Sequence, residues 1–391
     1  MNENLNSDKV LRQVATDTRL REGPTGVATV LRVVKRLGRA PLNVVAREAR
    51  LPLPVASAVR RELEKAGLLA REGGMSLTPT GDRLVQELLG EVGDFDPTCF
   101  NCKGSGISPA AANLAAAFSA LLDSAPAVDV TLDQAPCTAE TSLRRAALMY
   151  AEGALEGRRI LILGDDDSVS LALGMFAKVH LAAPLRHPIT VIELDPERAG
   201  FLRRQARAQS LAIDILEHDL REPLPPSLQG AFDVVETDPP YTEQGARLFL
   251  ERARQALVDE PGSLGFLSYA QRSGAEQFAL NKVILETGFA ITMMRPSFNA
   301  YQGASILGSV GQMIELAAVG QPQRPGRSYP GPLYSAEVNP RVRRYRCRTC
   351  GTVQSLGEAG APATIEALKS SGCPVCRGTV FERLSGQSES A

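Results

Sequence analysis

The sequence contains no tryptophan, and only 5% of its 391 residues are aromatic. Because bases stack on aromatic faces in single-stranded nucleic-acid platforms, this scarcity disfavours base stacking as the main activity. The formal net charge is -1, so the sequence has no excess of basic residues that would attract nucleic acid or an anionic membrane surface. No apolar run is long enough to span a bilayer, and the polar residues 1–8 do not resemble a signal peptide. We therefore expect a cytoplasmic protein without a membrane partner.

An apolar run, 160–163, ends at Gly164 and is followed by Asp165, Asp166 and Asp167. A buried run, a tight turn and a new apolar-periodic segment predict a parallel strand that leads into a helix. Open α/β sheets bind ligands at the carboxyl ends of such strands, and a glycine there lets the backbone approach the ligand closely. One or two of the three carboxylates fit a helix cap, but a run of all three favours a cationic ligand.

Strand and helix patterns alternate from residue 160 to residue 286, and two β-rich segments, 289–296 and 306–319, follow them. This alternation implies a parallel sheet with helices on both faces. The two closing segments fit a terminal antiparallel hairpin, as in the class I methyltransferase fold. We therefore predict an α/β protein with a class I methyltransferase-like Rossmann sheet.

Acidic residues follow each of the first four predicted strands, so they are expected to line one crevice. They are Asp165 to Asp167 after the first strand, Glu193 and Asp195 after the second, Asp219 after the third and Asp238 after the fourth. An acid after the second strand commonly holds both ribose hydroxyls of a nucleoside, a role open to Glu193 and Asp195. An acid after the third strand commonly accepts from the adenine amino group, which suits Asp219. The set predicts a nucleoside-binding cleft.

The sharpest single motif is Asp238-Pro239-Pro240-Tyr241. Its paired prolines fix the backbone so that a carboxylate, carbonyl oxygens and an aromatic ring converge on an amino nitrogen. Enzymes that methylate adenine N6 or cytosine N4 carry this signature. The motif therefore predicts alkylation of a nitrogen by a sulfonium donor.

The N-terminal part of the sequence has the pattern of a small helical domain. Helical patterns over residues 26–37, 42–49 and 55–67 precede a hairpin pattern with its tip at residues 73–74 and a further helix over residues 80–89. Three helices followed by a hairpin predict a winged helix-turn-helix. The predicted recognition helix contains the basic residues Arg60, Arg61 and Lys65. Because Glu62 and Glu64 lie among them, a structural role is favoured over DNA binding.

Six of the seven cysteines form Cys-x-x-Cys pairs, which in a reducing compartment indicate metal binding before disulfides. The pairs are Cys99 with Cys102, Cys347 with Cys350, and Cys373 with Cys376. The last two pairs, with a spacer of 22 residues between them, predict a zinc ribbon whose structural zinc folds the C-terminal tail. The first pair needs partners elsewhere, such as Cys137 or another subunit, and its role is left open.

Together these motifs resemble those of the branched-chain polyamine synthases, the N(4)-bis(aminopropyl)spermidine synthases. The resemblance covers about residues 23–319. It rests on the turn at 164–170, on Glu193-Leu194-Asp195 and on the motif at 238–242. The predicted winged helix and the Cys-x-x-Cys pair at Cys99 and Cys102, a metal-binding knuckle, precede these motifs and also belong to the resemblance. It implies decarboxylated S-adenosylmethionine as co-substrate and donor, and spermidine as acceptor. Aminopropyl groups would pass to the central secondary amine, giving N4-aminopropylspermidine, then N4-bis(aminopropyl)spermidine, and methylthioadenosine. The zinc ribbon lies outside what the family's core implies.

The resemblance places the base in the Gly-Asp-Asp-Asp run, where Asp166 is our first choice and Asp165 our second. Asp167 would anchor the aminopropyl end of the donor. The predicted site residues are, for catalysis, Asp166, Asp165, Asp238 and Tyr241; for cofactor binding, Gly164, Asp167, Glu193, Asp195 and Asp219; for substrate binding, Asp238, Pro239, Tyr241, Glu243 and Tyr301; and for metal, Cys347, Cys350, Cys373 and Cys376. The acids also favour the decarboxylated donor, because they would repel the carboxylate of S-adenosylmethionine.

These motifs divide the chain into six predicted segments. They are a flexible tail (1–22), a winged helix domain (23–91), a Cys-x-x-Cys knuckle with a helical connector (92–157), a Rossmann-like catalytic domain (158–320), a linker (321–340) and a zinc-ribbon tail (341–391). We expect the protein to form a homodimer.

Two other functions stay open at this point. An S-adenosylmethionine-dependent amino-methyltransferase acting on DNA or RNA would need a basic approach to its active site and salt-dependent binding of nucleic acid. A winged-helix transcription regulator with a ligand-sensing α/β domain would bind DNA without turnover. The arginine-rich residues 341–348 are compatible with both.

Overall fold

The first five helices and a short hairpin pack around a hydrophobic core of their own. The computed structural model describes residues 7–49, 51–71, 73–89, 106–107, 112–181, 183–259, 262–302, 310–319, 327–338, 343–356 and 365–384. The N-terminal elements are α1 (Ser7–Asp17), α2 (Gly23–Leu37), α3 (Leu42–Glu48), α4 (Leu53–Lys65), β1 (Leu69–Ala70), β2 (Ser76–Leu77) and α5 (Pro79–Leu89). Strands β1 and β2 pair antiparallel.

Residues 7–17 differ from the flexible tail that the sequence predicts, because they form the regular helix α1. Its apolar side chains Leu11, Val14 and Ala15 recur at helical spacing and are buried in the N-terminal core. The structured N-terminal part therefore begins before residue 23. The predicted knuckle at Cys99 and Cys102 lies outside the described residues.

A connecting helical region leads from the N-terminal core to the central sheet. It contains α6 (Ala112–Leu122), a short 3₁₀ turn (Val130–Leu132) and α7 (Ala139–Ala151). The Thr138 hydroxyl caps α7 by accepting from the backbone N–H of Thr141 at 3.3 Å. Phe118 and Met149 of these helices are fully buried beneath the sheet.

The central sheet has seven strands with alternating helices, as the sequence predicts. Its elements are β3 (Ile160–Leu163), α8 (Val169–His180), β4 (Ile189–Glu193), α9 (Pro196–Ala208), β5 (Ile213–Glu217), a 3₁₀ turn (Pro226–Leu228), β6 (Val234–Thr237), α10 (Glu243–Ala256), β7 (Leu264–Ala270), α11 (Gly274–Glu286), β8 (Phe289–Ala300) and β9 (Val310–Ala318). The strand order is β5-β4-β3-β6-β7-β9-β8. Strands β3 to β7 are parallel, and β9 pairs antiparallel with both β7 and β8. The predicted Rossmann-like sheet and its terminal antiparallel hairpin are confirmed.

Alternate residues of strand β3 enter two different hydrophobic layers, because successive side chains of a strand point to opposite faces. Ile160 and Ile162 pack with α6 to α9 on one face. Leu161 and Leu163 pack with α10 and α11 on the other. Burial on both faces explains why this strand is uninterruptedly apolar.

The C-terminal part forms a small three-stranded antiparallel sheet. Its elements are α12 (Ser335–Val338), β10 (Arg343–Cys347), β11 (Val353–Leu356), α13 (Ile365–Ser371) and β12 (Phe381–Arg383), with strand order β11-β10-β12. Across the described parts of the chain, we find no helix that is both long and apolar enough to cross a membrane.

Candidate active site at the carboxyl ends of the sheet

A cleft opens where strands β3 to β6 end. The acids that line it are Asp133, Asp165, Asp166, Glu193, Asp219 and Asp238. No lysine or arginine is among the described residues that line the cleft. The cleft is therefore suited to a ligand that carries positive charge.

Asp165 points into the protein and caps helix α8. Its carboxylate accepts from the backbone N–H groups of Val169 at 2.5 Å and Ser170 at 3.2 Å. Burial raises the pKa of Asp165 to about 7, although these hydrogen bonds act in the opposite direction. The contacts of Asp165 are therefore those of a helix cap.

Asp166 is half-buried and faces the cleft. Its Oδ2 accepts a hydrogen bond of 3.0 Å from the backbone N–H of Ala135. Burial, together with the nearby charges of Asp238 and Glu193, raises the pKa of Asp166 to about 7. A carboxylate with a pKa near neutrality is suited to accept a proton at physiological pH.

Asp166 also lines a second cavity. Asp123, Glu140 and Asp167 lie around this cavity, together with Arg198. Asp166 thus belongs to the walls of both cavities. A group bound in either of them could reach its carboxylate.

Asp167 is buried and already paired. Its Oδ2 lies 2.6 Å from Nη1 of Arg145, and its Oδ1 accepts from the backbone N–H of Cys137 at 2.5 Å. It lines the second cavity and is not among the described residues that line the first cleft. Its predicted contact with the donor stays a prediction.

The two acids after strand β4 have different environments. Glu193 lines the cleft, and its Oε2 and Oε1 accept at 2.9 Å from the backbone N–H groups of Asp165 and Asp195. Burial raises the pKa of Glu193. Asp195 caps helix α9 by accepting from the N–H of Glu197 at 2.9 Å, and its Oδ2 accepts from Gln134. Of the two, Glu193 is the one that faces the cleft.

Gly164 and Asp219 lie where the nucleoside was predicted. Gly164 has a φ of +72°, a left-handed conformation that favours glycine, and it lines the cleft. Asp219 also lines the cleft, and its Oδ1 accepts from the backbone N–H of Arg221 at 2.8 Å.

Asp238 is held from behind by a buried hydrogen-bond network. Its Oδ2 accepts from Nη2 of Arg145 at 3.0 Å, from the Ser268 hydroxyl at 2.8 Å and from the Tyr301 hydroxyl at 2.9 Å. Its Oδ1 is buried and has no hydrogen-bond partner among the described residues. Because the residue lines the cleft, this oxygen is a candidate acceptor for a bound N–H group.

The remaining predicted substrate residues separate into two groups. Pro239 and Tyr241 line the cleft, and the Tyr241 hydroxyl donates to that of Tyr301 at 2.8 Å. Tyr301 is buried behind Asp238 and is not among the described residues that line the cleft. Glu243 is exposed at the start of α10, where it lies 3.7 Å from Arg247. Roles of Tyr301 and Glu243 in acceptor contact stay predictions.

The four cysteines of the C-terminal sheet converge. The Sγ atoms of Cys347, Cys350, Cys373 and Cys376 all lie within 4.8 Å of one another. A tetrahedral zinc with bonds of about 2.3 Å to sulfur would place these atoms about 3.8 Å apart, so the cluster fits the metal. A site with four thiolates would be closed and structural.

Comparison with known proteins places the chain in a family. Residues 113–345, more than half of the chain, match the model of the branched-chain polyamine synthase A C-terminal domain. The N(4)-bis(aminopropyl)spermidine synthase of Thermus thermophilus is 31% identical over 356 residues, which cover 88% of this chain and 97% of that protein. This chain belongs to the branched-chain polyamine synthase family. An uncharacterized protein of Methanocaldococcus jannaschii is 34% identical, over 92% of this chain and 90% of its own length.

A solved branched-chain polyamine synthase has the same fold. The Thermus thermophilus enzyme, in complex with N4-aminopropylspermidine and 5′-methylthioadenosine, superimposes with a TM-score of 0.66 at 28% identity. The match covers 83% of this chain and 96% of that one. The family predicted from the motifs is therefore confirmed.

Sequence reasoning missed the buried arginine beside this site. Arg145 is fully buried, and its guanidinium lies within 3.2 Å of carboxylate oxygens of Asp167, Glu236 and Asp238. Burial raises the pKa of Asp167 and Glu236 well above the ordinary carboxyl value. One signal was available, because Arg145 is four residues from the buried Thr141 and therefore lies on the inner face of α7.

Proposed function

We propose that this chain is an aminopropyltransferase that uses decarboxylated S-adenosylmethionine to alkylate the central nitrogen, N4, of spermidine. Two transfers would give N4-aminopropylspermidine and then N4-bis(aminopropyl)spermidine, each releasing methylthioadenosine. The observation that carries the proposal is Asp166, a half-buried carboxylate with a pKa of about 7 on the wall of both cavities. A donor in one cavity and an acceptor that reaches from the other would meet at this group.

The nucleoside of the donor fits the part of the cleft between β3 and β5. Glu193 would accept from the ribose hydroxyls, and Asp219 from the adenine amino group. Gly164 would let the backbone approach the sulfonium side of the ligand. Asp195 would support this region through its hydrogen bond with Gln134.

The charge of the cleft supports the choice of donor and acceptor. The carboxylate of S-adenosylmethionine would face Asp166 and Asp238 and be repelled by them, whereas the aminopropyl chain of the decarboxylated donor carries a cation. A polyamine acceptor is also cationic. A nucleic-acid methyltransferase would need a basic approach, and the acidic lining weighs against that alternative.

In the proposed reaction, the lone pair of N4 attacks the methylene carbon next to the sulfonium. A C–N bond forms, the C–S bond breaks, and its electron pair returns to sulfur to give a neutral thioether. Spermidine N4 is largely protonated in water, since amines of this type have pKa values near ~10. Asp166 would take the proton, with Asp165 as the second choice, and Asp238, Pro239 and Tyr241 would position the nitrogen.

The second transfer starts from a tertiary amine and ends at a quaternary ammonium. Its proton must leave before attack, because the product nitrogen carries none. The same base would serve both steps. Asp167, which lines the second cavity, would anchor the aminopropyl end of the donor.

The rest of the chain would support this activity. The helices and hairpin of residues 23–91 fit a winged helix-turn-helix used for structure, and the cysteine cluster of residues 341–391 fits a zinc ribbon. We propose the remaining boundaries at 92–157, 158–320 and 321–340, a homodimeric assembly and a cytoplasmic location.

The test is incubation with spermidine and either sulfonium donor, followed by mass analysis. The proposal expects methylthioadenosine and polyamine products heavier by one and two aminopropyl groups with the decarboxylated donor. S-adenosylhomocysteine and a methylated product would overturn it. Turnover of nucleic acid instead of spermidine would do the same.

A further inference from the structure

Arg145 makes several buried polar contacts beside the candidate site. It lies on helix α7 with no exposed surface, and its guanidinium donates to Oδ2 of Asp238 at 3.0 Å. The same nitrogen, Nη2, donates to the Ser268 hydroxyl at 2.9 Å, and Nε donates to Oδ1 of Asn299 at 3.0 Å. A planar fork with five donors suits such a clamp, whereas a lysine ammonium cannot reproduce it.

The contacts to Asp238 fall on one of its two oxygens. Oδ2 accepts three hydrogen bonds, from Arg145, Ser268 and Tyr301, at 2.8 to 3.0 Å. Oδ1 accepts none from the described residues, although it is buried. A buried carboxylate oxygen without a donor is costly, so a donor supplied by a ligand is the natural completion of this site.

We infer that Arg145 is a positioning residue that aims Oδ1 of Asp238 at the N–H of the acceptor nitrogen, and that this contact serves the first aminopropyl transfer and not the second. The inference rests on the proposed function. It assigns no proton transfer to Arg145, which acts on the acceptor nitrogen through Asp238. Arg145 also pairs with Asp167 at 2.6 Å, a contact common to both transfers, so the ratio of the two rates is what tests the inference. Ser268 and Tyr301 complete the clamp on the opposite oxygen.

The number of N–H groups on N4 distinguishes the two transfers. Protonated spermidine has two N–H groups at N4, so the base removes one proton and the other N–H persists while the C–N bond forms. That N–H gains positive charge in the transition state, and its hydrogen bond to Asp238 strengthens there. In N4-aminopropylspermidine the protonated nitrogen has one N–H, which the base removes. No N–H is then left for Oδ1 to accept.

The experiment compares Arg145→Lys with Arg254→Lys in the full-length protein. Arg254 is a matched control, because it is buried on α10 and pairs with Asp259 instead of a cleft residue. Single-turnover rates are measured separately with spermidine and with N4-aminopropylspermidine as acceptor. Loss of a hydrogen bond to a charged group predicts that Arg145→Lys slows the first transfer by about tenfold to a hundredfold. The second transfer should slow only by what the shared contact with Asp167 contributes, so the ratio of first to second rate should fall by about tenfold, and the control should change neither rate.

Equal slowing of both transfers by Arg145→Lys would overturn the inference, because a merely structural defect lowers both. If that variant does not fold, Tyr301→Phe and Ser268→Ala test the inference instead. Each removes a neutral hydrogen-bond donor to Oδ2 of Asp238 and leaves the buried charge of Arg145 in place. They should also lower the ratio of first to second transfer, and an unchanged ratio counts against the clamp. Wild-type protein that releases no methylthioadenosine with spermidine would instead refute the proposed function.

Discussion

The carboxylate of Asp166 accepts a hydrogen bond of 3.0 Å from the backbone N–H of Ala135. This contact joins the turn after strand β3 to the loop before helix α7, which also lines the cleft. Because an N–H donor stabilises the ionised form, it lowers the pKa of Asp166 against the effect of burial. The loop therefore helps to set the protonation of the proposed base.

The activity should depend on pH through Asp166, whose pKa is raised to about 7 by burial and neighbouring charge. The base must be ionised to accept a proton, so kcat/KM for spermidine should fall about tenfold for each pH unit below 7. It should approach a plateau on the alkaline side of that value. Rates of methylthioadenosine release from pH 5 to 9 measure this, and a flat profile from pH 5.5 to 7.5 would exclude Asp166 as the base.

Replacement of Ala135 by proline should move that profile. Proline has no backbone N–H, so Ala135→Pro removes the donor that lowers the pKa of Asp166, and the acid limb should shift to higher pH. Ala135→Gly keeps the N–H and is the control. The two variants should have the same affinity for methylthioadenosine. If the acid limb of the pH profile moves in Ala135→Gly as well, the shift comes from loop flexibility and not from the lost N–H donor.

Asp166→Asn and Asp165→Asn should have unlike effects, although the residues are adjacent. Asp166→Asn should lower turnover by about 10² to 10⁴-fold and leave nucleoside affinity unchanged, because the base is lost. Asp165→Asn should retain most activity, since its amide oxygen can still accept from Val169 and Ser170. Asp165→Ala should lower the free energy of unfolding by about 0.5 to 2 kcal/mol through loss of the cap. Retained turnover in Asp166→Asn would move the base to Asp165 or Asp238.

The sequence predicts the sheet because its signals are local. The run 160–163 is apolar since both of its faces are covered, and an acid follows each of the next strands at the same edge. By contrast, no local sequence signal shows in which directions the side chains of Asp165, Asp166 and Asp167 point. These directions depend on left-handed backbone at Gly164 and Ser168, with φ of +72° and +54°, and a serine in that conformation has no sequence signal.

The role of Arg145 lies further from what a sequence can show. Its partner Asp238 is 93 residues away and Tyr301 is 156 residues away, so only the folded sheet brings them together. The sequence shows that one arginine lies on the inner face of the helix, but it does not show which residues that arginine contacts. The sequence likewise predicted Glu243 as an acceptor contact. It could not show that the side chain is exposed at the start of α10.

Glu193→Gln should weaken nucleoside binding. Both oxygens of Glu193 accept backbone N–H groups, those of Asp165 and Asp195, so an amide nitrogen in either position faces a donor and tilts the side chain away from the ribose. The Kd for methylthioadenosine should rise about tenfold to a hundredfold by calorimetry. Asp195→Asn is the comparison, because Asp195 caps α9 and should affect stability more than affinity. A larger loss of affinity in Asp195→Asn would transfer the ribose contact to that residue.

The cysteine cluster should hold one zinc ion per chain and should not take part in the reaction. Cys373 is buried within the cluster, so Cys373→Ser should abolish stoichiometric zinc in elemental analysis and lower the stability of the C-terminal sheet. Cys137→Ser should keep the metal, since that buried cysteine lies beside Ser142 and outside the cluster. None of the four cysteines lines the cleft, so methylthioadenosine release by Cys373→Ser should stay within about twofold of wild type where the cleft remains folded. One zinc ion per chain in Cys373→Ser would disprove the four-thiolate site. A large loss of turnover without a change in folding would show that the C-terminal tail takes part in catalysis.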